Sequence, residues 1–493
     1  FIDFRKAFDT VEREALWYKL WCLGMSSKLI RALQGVYDKV EFCVKYDNYR
    51  VSGNVTSHRG VKQGCILSPI LFNLFINDIV AIMVREGIEP PMVGDFSVPT
   101  LLYADDLILC SKTVSGLQRG LDRLEIYCRE WGLTVNAEKT KVMTFKNGYV
   151  YGKNESWSYA GQPLDKVKSF VYLGLTLTMT GKWNQHIERT KHKARVKATE
   201  TLKIRSRIPD ISTSILTKVY NAVVRSTLSY GAEIWGWDNT KDLNQIQTYF
   251  LKCLTGVGRS TANSGILKEF GTYRDSVDFK IKTLKYYLRI LHGNQSLIKA
   301  ACYREQRRLG AQNCWLGVLQ KGLDEIGMGF ILHEGEVVRK NVWRKVKKRL
   351  IDINRQEIEG DCREKITLEI QALTSINWGK ETYLEWGTWD VRRGLAWLRL
   401  GVWRVNSFKD AEGRRTCPLC GEEDSWLHIL ANCSASEDLR QRYLPNRFND
   451  SNRGVLASCE LLGKEEWLEA TGKFLSRVRH RRGNNMLGEE GGN

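Results

Sequence analysis

Apolar and polar residues alternate in two different styles along this chain. In the first 180 residues short apolar runs are broken by polar turns. Val40, Phe42, Val44 and Tyr46 alternate as a half-buried strand that Asp47-Asn48 would turn. Leu101-Leu102-Tyr103-Ala104-Asp105-Asp106-Leu107-Ile108-Leu109 is two apolar runs around an Asp-Asp pair, the pattern of a β-hairpin with both carboxylates at its turn. A helix is predicted from Ser68, a good N-cap, with Pro69 in the first turn. Its Phe72, Phe75, Ile76, Ile79 and Met83 recur at i, i+3, i+4, i+7 and i+11, a stripe that would pack under the sheet. From about Gly181 to Gln295 the pattern is helical throughout; basic residues crowd Lys191 to Ala198, and Val219 to Gly236 is an apolar helix that Gly231 ends. These patterns predict an α+β protein with an antiparallel sheet backed by helices, followed by a mostly helical C-terminal region.

Charge narrows the class of partner. A formal charge of +19 and a pI near 9.3 in 493 residues suit a phosphate backbone. A basic surface also suits a membrane, but a spanning helix needs about eighteen uninterrupted apolar residues, and Phe72 to Val84 is broken by Asn73, Asn77 and Asp78. No membrane partner is predicted. Thirteen cysteines, an odd number in no regular framework, point to a reducing compartment, nuclear or cytoplasmic.

Adjacent carboxylates on a rigid turn can hold Mg²⁺, which prefers hard oxygen ligands and leaves positions for water and phosphate. Asp is also a common turn former, so the pair gains meaning from a third carboxylate, Asp3, in the apolar segment Phe1-Ile2-Asp3-Phe4. A strand placing Asp3 beside the hairpin would put three carboxylates around two cations, enough to align a 3′-hydroxyl with a nucleotide α-phosphate. Asp9, next to Thr10, is either a helix cap or a support for that site. A second constellation is Cys417-Pro418-Leu419-Cys420 followed by His428 and Cys433. Two Cys-x2-Cys ligands and a His-x4-Cys pair suit tetrahedral Zn²⁺, and with all four positions filled by protein the site would be structural.

Five segments in order resemble the motifs of the reverse transcriptase of non-LTR (LINE-type) retrotransposons. They are Phe1-Ile2-Asp3 through Lys6-Ala7-Phe8-Asp9, similar to motif A; Arg59-Gly60-Val61-Lys62-Gln63-Gly64 through Ser68-Pro69, similar to motif B; Tyr103-Ala104-Asp105-Asp106, similar to motif C; Trp131 to Thr140, similar to motif D; and Phe170-Val171-Tyr172-Leu173-Gly174, similar to motif E. The resemblance implies a right-hand polymerase palm with Asp3, Asp105 and Asp106 as ligands of two Mg²⁺ ions, and Lys139 as a catalytic residue that protonates the pyrophosphate leaving group. It implies contacts to substrate by Phe8, a gate against a ribose 2′-hydroxyl, and by Arg59, Gly60, Gln63, Gly64 and Tyr103. RNA template, DNA primer or target and deoxynucleotides are the implied partners. LINE-type elements also have a similar Cys-Cys-His-Cys knuckle after the polymerase.

The implied organisation is a palm with partial fingers over 1–180, a helical thumb over 181–295, a helical connector over 296–410, the zinc knuckle over 411–440 and a basic, partly disordered tail over 441–493 that includes Arg477 to Arg482. Within the connector, Arg344 to Arg349 either touch RNA or are solvated. Trp386, Trp389, Trp397 and Trp403, interleaved with Arg392, Arg393, Arg399 and Arg404, are core more readily than a stacking platform. Phe1 opens the chain inside a motif, so a fragment of a longer reading frame is expected, one that lacks upstream fingers and with them part of the nucleotide site. Two other readings are a non-catalytic nucleic-acid-binding remnant and a group II intron-type maturase, the latter disfavoured by the Lys-Ala-Phe-Asp wording and the knuckle. No Pro-Asp pair with a trailing acid follows Cys433, so a restriction-like endonuclease is not predicted in this chain.

Overall fold

Thr100–Tyr103 and Asp106–Leu109 form an antiparallel hairpin in which Tyr103 pairs with Asp106, leaving Ala104-Asp105 as a two-residue loop. The computed structural model describes residues 1–45, 52–85, 88–145, 155–208, 210–237, 240–310, 314–333, 341–374, 377–403, 408–409, 413–448 and 454–489. Ala104 has φ 53°, a left-handed conformation that two-residue hairpin loops demand and that costs an L-residue energy. Leu107 and Leu109 are buried, as alternate residues of a pleated strand should be. The start of the chain adds to this ribbon: Ile2 bridges Leu107 through an N–H to carbonyl bond of 2.8 Å, and Phe4 bridges Val135. Asp3 thus lies on a segment held between the hairpin and the stretch around Val135.

Two compact units divide the chain, the first made of Phe1–His186 and Gly293–Gly310, the second of Ile187–His292 and Ala311–Asn493. In the first, short antiparallel ribbons surround the hairpin, among them Glu41–Phe42 with Val55–Thr56 and Ser169–Tyr172 with Leu175–Thr178, while Lys141–Val142 pairs in parallel with Asp165–Lys166. The strand predicted around Phe42 is short and exposed; Tyr46 and the turn at Asp47-Asn48 lie outside the described residues.

The apolar stripe is where its period places it: Phe72, Phe75, Ile76, Ile79 and Met83 are all fully buried. It runs over two helices, Ser68–Ile76 and Ile79–Arg85. Ser68 opens the first helix without capping it; Leu67 holds the cap position, and the Ser68 hydroxyl donates to the Lys62 carbonyl (2.5 Å) and meets the Tyr37 hydroxyl at 3.1 Å. The break at Asn77-Asp78 has an electrostatic cause. Lys19 is buried, and its ammonium donates to Asp78 (2.8 Å), the Phe75 carbonyl (2.7 Å) and the Tyr127 hydroxyl (2.8 Å), 3.8 Å from the centre of the Trp131 ring. Burial lowers the Lys19 pKa and Asp78 opposes that shift, as a carboxylate must if an ammonium is to stay charged in a core. Ser68–Arg85 is long and apolar enough for a membrane span, with mean hydropathy 1.4, yet its stripe is consumed by this core.

The second unit is helical. On the helix Asn184–Arg207, Ala194 and Ala198 face inward while His192, Lys193, Arg195 and Lys197 are exposed. The apolar segment from Val219 contains a π turn, Tyr220–Arg225, and its helix ends at Leu228 with Ser229 as the C-cap, three residues before the expected stop; Gly231, where φ is 69°, instead opens the next short helix, Ala232–Trp235. Arg225 and the Tyr220 hydroxyl both reach the buried Asp275, each at 2.6 Å. Trp397 and Trp403 are core; Trp389 is half-buried between the guanidinium groups of Arg205 (4.8 Å) and Arg393 (4.7 Å). Arg404 lies outside the described residues.

The expected disordered tail is corrected over its basic run. Glu465–Glu489 is a helix in which Leu468, Thr471, Leu475, Val478 and Arg482 are buried, a spacing of three and four that marks one helical face. It packs on the helix Trp389–Arg399 at a close crossing, where a Cβ on Gly394 would sit 2.9 Å from the Gly472 carbonyl oxygen. Val478 and Arg482 are buried in this packing and Arg479, Arg481 and Arg482 are paired with Asp390, Asp438 and Asp424, while Arg477 and His480 stay exposed on the outer face of the helix.

Candidate active site and Cys-His cluster

The hairpin turn and the first strand bring the three aspartates together. Asp3 is fixed through its backbone on both sides: its N–H donates to the Thr140 hydroxyl (3.2 Å), and its carbonyl accepts from Asn136 (2.7 Å). Asp105 occupies the turn, and Asp106 begins the return strand. Burial first, then the negative charges of Asp105 and Asp3, raise the Asp106 carboxyl above the ordinary range. Folding therefore holds carboxylates against their mutual repulsion, and a bound cation would relieve it. Asp3 and Asp106 line a cleft of about 350 Å³ with Lys139, Phe170 and Tyr172; Asp105 and the exposed Tyr103 stand on the turn beside it. Among the described residues the three carboxylates do not converge as tightly as the cluster of Cys417, Cys420, His428 and Cys433 does.

Motif B packs on motif A through backbone bonds. Gly60 donates to the Val11 carbonyl (2.9 Å) and Val61 to that of Phe8 (2.8 Å). The Gln63 amide donates to Asp9 (2.8 Å), so Asp9 positions Gln63; the helix Arg13–Cys22 has Glu12 at its cap position, without a side-chain bond. Phe8 stacks on Phe72 with ring centroids 4.7 Å apart. Arg59 pairs with Glu12. One residue of this machinery escaped the sequence reading: Arg13 donates to the carbonyls of Tyr37 (3.1 Å), Ser57 (2.8 Å), Arg59 (3.1 Å) and Gly60 (3.0 Å), clamping the loop. A lone Arg in the first turn of a helix carries no local signal for that role.

Gly60 has φ 81°, and a Cβ there would fall 2.7 Å from the Asp9 carbonyl oxygen; Gly64 has φ 77° but open space. Gly60→Ala is expected to lower unfolding free energy by about 2–3 kcal/mol, left-handed strain plus a backbone clash, and Gly64→Ala by only about 1 kcal/mol. Urea unfolding of the two variants checks the difference; equal losses would refute the clash.

Motif E forms the hairpin Ser169–Tyr172 with Leu175–Thr178, turned by Leu173 (φ 46°) and Gly174 (φ 79°), the double left-handed turn that hairpins favour. Phe170 stacks on Phe1 at 4.2 Å, and the Tyr172 hydroxyl lies 3.5 Å from the Asp106 carbonyl oxygen. Lys139 is exposed at the cleft.

In the second unit, Cys417, Cys420, His428 and Cys433 place their donor atoms within 4.8 Å of one another. Cys420 and Cys433 sulfurs are 3.8 Å apart, Cys417 and Cys433 4.0 Å, and the Cys420 sulfur is 3.2 Å from His428 Nε2. A tetrahedron with Zn–S bonds of about 2.3 Å has S···S edges of about 3.8 Å, so this donor set fits the ion. A π turn, His428–Asn432, aligns His428 with Cys433: the Cys433 N–H reaches the His428 carbonyl five residues back at 2.7 Å. Arg440 donates to the Cys433 carbonyl. The terminal helix clasps the cluster, Arg482 meeting Asp424 at 2.5 Å with both fully buried, and Arg481 gripping Asp438 through two bonds of 2.7 Å.

Residues 1–177 match the family described as reverse transcriptase (RNA-dependent DNA polymerase). The chain is 27% identical over 262 residues to the RNA-directed DNA polymerase from mobile element jockey of Drosophila melanogaster, a match covering 52% of this chain and 27% of that protein. It is 31% identical over 192 residues to the Retrovirus-related Pol polyprotein from type-1 retrotransposable element R2 of Popillia japonica, covering 36% and 30%. A third relative, the Probable RNA-directed DNA polymerase from transposon BS of Drosophila melanogaster, is 26% identical over 253 residues, 50% of this chain and 27% of that protein. These matches span less than a third of the length of the relatives. Five motifs in order, the aspartates gathered by the first strand and hairpin, and these likenesses lead to one conclusion: residues 1–177 match the reverse transcriptase family and are similar to the enzymes of non-LTR retrotransposons.

Proposed function

We propose that the first unit joins a deoxynucleotide α-phosphate to a primer 3′-hydroxyl on an RNA template, in target-primed synthesis of an element's DNA. The observation that carries this reading is the bridge from Ile2 to Leu107, which sets Asp3 beside the Asp105-Asp106 turn. Asp3, Asp105 and Asp106 would hold two Mg²⁺ ions, which when bound supply Lewis-acid activation of the hydroxyl and neutralise charge on the phosphates. Phe8, wedged on Phe72, presents a fixed aromatic edge against a ribose 2′-hydroxyl. Gln63, held by Asp9, and the backbone at Gly60 and Gly64 approach the nucleotide and template. Tyr103 and Arg59 flank that approach. Lys139 carries a proton to the pyrophosphate leaving oxygen across the cleft it shares with Asp106. Exposed cations of Asn184–Arg207 contact the nucleic-acid backbone as a thumb would. Primer extension on an RNA template with Mg²⁺ tests the reading. Salt-sensitive template binding without extension would instead mark a binding module.

The Cys-His cluster is proposed to hold one structural Zn²⁺. Elemental analysis is expected to find one zinc per chain and none in Cys420→Ser. Because Arg481 and Arg482 tie the terminal helix to the cluster, chelation is expected to speed hydrogen exchange in Glu465–Glu489 at least tenfold. Unchanged protection after complete zinc removal would refute the structural role.

A further inference from the structure

Outside the polymerase motifs, the second unit has a groove of about 660 Å³ between the helices Ser276–Leu291 and Val342–Glu364. Lys282, Lys285 and Arg289 fall at i, i+3 and i+7 on one face of the first helix, Trp343 faces them from the second, and Glu233, Leu288 and His292 complete the lining. These residues are not equally available. Lys282 is spent on Ser229, donating to its carbonyl and its hydroxyl at 2.9 Å each. Lys285 and Arg289 are exposed, and among the described residues neither has a carboxylate partner. Instead Lys285 stands over the Trp343 ring, 3.7 Å from its centre, and Arg289 over Tyr286 at 5.5 Å. His292 Nε2 is shielded from solvent and has no hydrogen-bond partner among the described residues.

We propose that this groove binds a single-stranded nucleic-acid segment, with a base stacked on Trp343 and adjacent phosphates on Lys285 and Arg289. The two free cations lie one helical turn apart, with about 5–6 Å between Cβ atoms, a spacing that successive phosphates of one strand can meet. An ammonium resting on an indole at an exposed site is worth about 0.5–1 kcal/mol, so a phosphate can draw Lys285 aside and leave the ring to a base, which gains about 1–3 kcal/mol by stacking. The charge continues beyond the groove: Arg344, Lys345 and Lys348 are exposed along the second helix, and Arg344 lies 5.6 Å from the Trp343 ring centre. Lys347, by contrast, is paired with Asp278 at 2.8 Å. An acidic peptide would use the cations and leave the indole idle. A strand uses both. This assignment is independent of the polymerase reading, since none of its residues lies in the first unit.

The test uses the full chain and a fluorescein-labelled oligouridylate carrying one 4-thiouridine, read by anisotropy and by mapping the photocrosslink to peptides. The expected crosslink falls within 276–291 or 342–364. Trp343→Ala is expected to weaken binding about fivefold or more and to remove that crosslink, with Trp343→Tyr restoring both. Lys285→Ala with Arg289→Ala, exposed substitutions that leave the core intact, is expected to reduce the slope of log affinity against log salt by about 1.4, about 0.7 per lost phosphate contact on a single strand. Oligothymidylate should bind within about threefold of the RNA, because a base face and phosphates make no use of the 2′-hydroxyl. Crosslinks confined to the first unit would overturn the proposal. So would an unchanged salt slope, or competition by uridine monophosphate or an oligoglutamate as effective as the oligomer. Primer extension by the same variants, if unimpaired, separates failure of this site from failure of the polymerase reading.

Discussion

Asp105→Ala is expected to lower Mg²⁺-dependent primer extension on an RNA template by about a thousandfold or more. Charge stabilisation by metal ions contributes several kcal/mol to such transfers, and about 4 kcal/mol corresponds to three decades of rate. The loss should appear in kcat with the fold unchanged, because Asp105 sits on a hairpin turn whose pairing is made by backbone groups of Tyr103 and Asp106. Asp106→Asn provides the companion measurement. The Asp106 pKa is raised in the fold by burial and by Asp105 and Asp3, so the native state binds this proton more tightly than the unfolded chain. Stability is therefore lost as pH rises through the carboxylate range. Since the group is exposed, the relief in Asp106→Asn is small, about 0.5 kcal/mol or less. Activity should nonetheless fall as it does in Asp105→Ala. An Asp105→Ala protein that retains even a tenth of wild-type extension would remove the aspartates from the catalytic role.

Arg399→Met is expected to destabilise the second unit by about 3–5 kcal/mol, because it strands a carboxylate in the core. Arg399 and Glu269 are both fully buried and 2.6 Å apart, and Arg399 also reaches Glu381 (2.8 Å), the Thr374 hydroxyl (3.0 Å) and the Leu462 carbonyl (2.8 Å). Gln371 donates a further bond to Glu269 at 2.5 Å. The midpoint of urea unfolding measures the effect, and Arg399→Met combined with Glu269→Met should recover part of the loss, since the fully buried carboxylate of Glu269 is then no longer stranded, while Glu381 keeps some access to solvent. Full recovery is not expected, because the Leu462 carbonyl still loses its donor at a cost of about 1–3 kcal/mol. A single-variant effect below about 1 kcal/mol would show that Glu269 finds another partner.

Local chemistry was legible wherever neighbouring residues determine it. The Asp105-Asp106 hairpin, the buried stripe from Phe72 to Met83 and the grouping of Cys417, Cys420, His428 and Cys433 all follow from spacing, turn preference and side-chain type within short windows. The family itself was legible because five short motifs in order carry it. Composition is a poor guide to structure at the C-terminus, where the run Arg477 to Arg482 has the make-up of a solvated basic tail. The apolar face running through Leu468, Leu475 and Val478 was the signal that a helix would carry Arg482 inward to Asp424.

The remainder required the tertiary structure, for a physical reason common to every case. Asp3 reaches the hairpin only because Ile2 finds Leu107, more than a hundred residues away. Asn77-Asp78 interrupts an apolar run because a buried Lys19 needs a counter-charge, and Arg13 clamps motif B because four carbonyls happen to converge on it. A buried charge can be placed only after its partner is known, and those partners lie far apart in sequence. The amino-acid order determined which groups had to be satisfied; the packing of distant segments decided which group satisfied which.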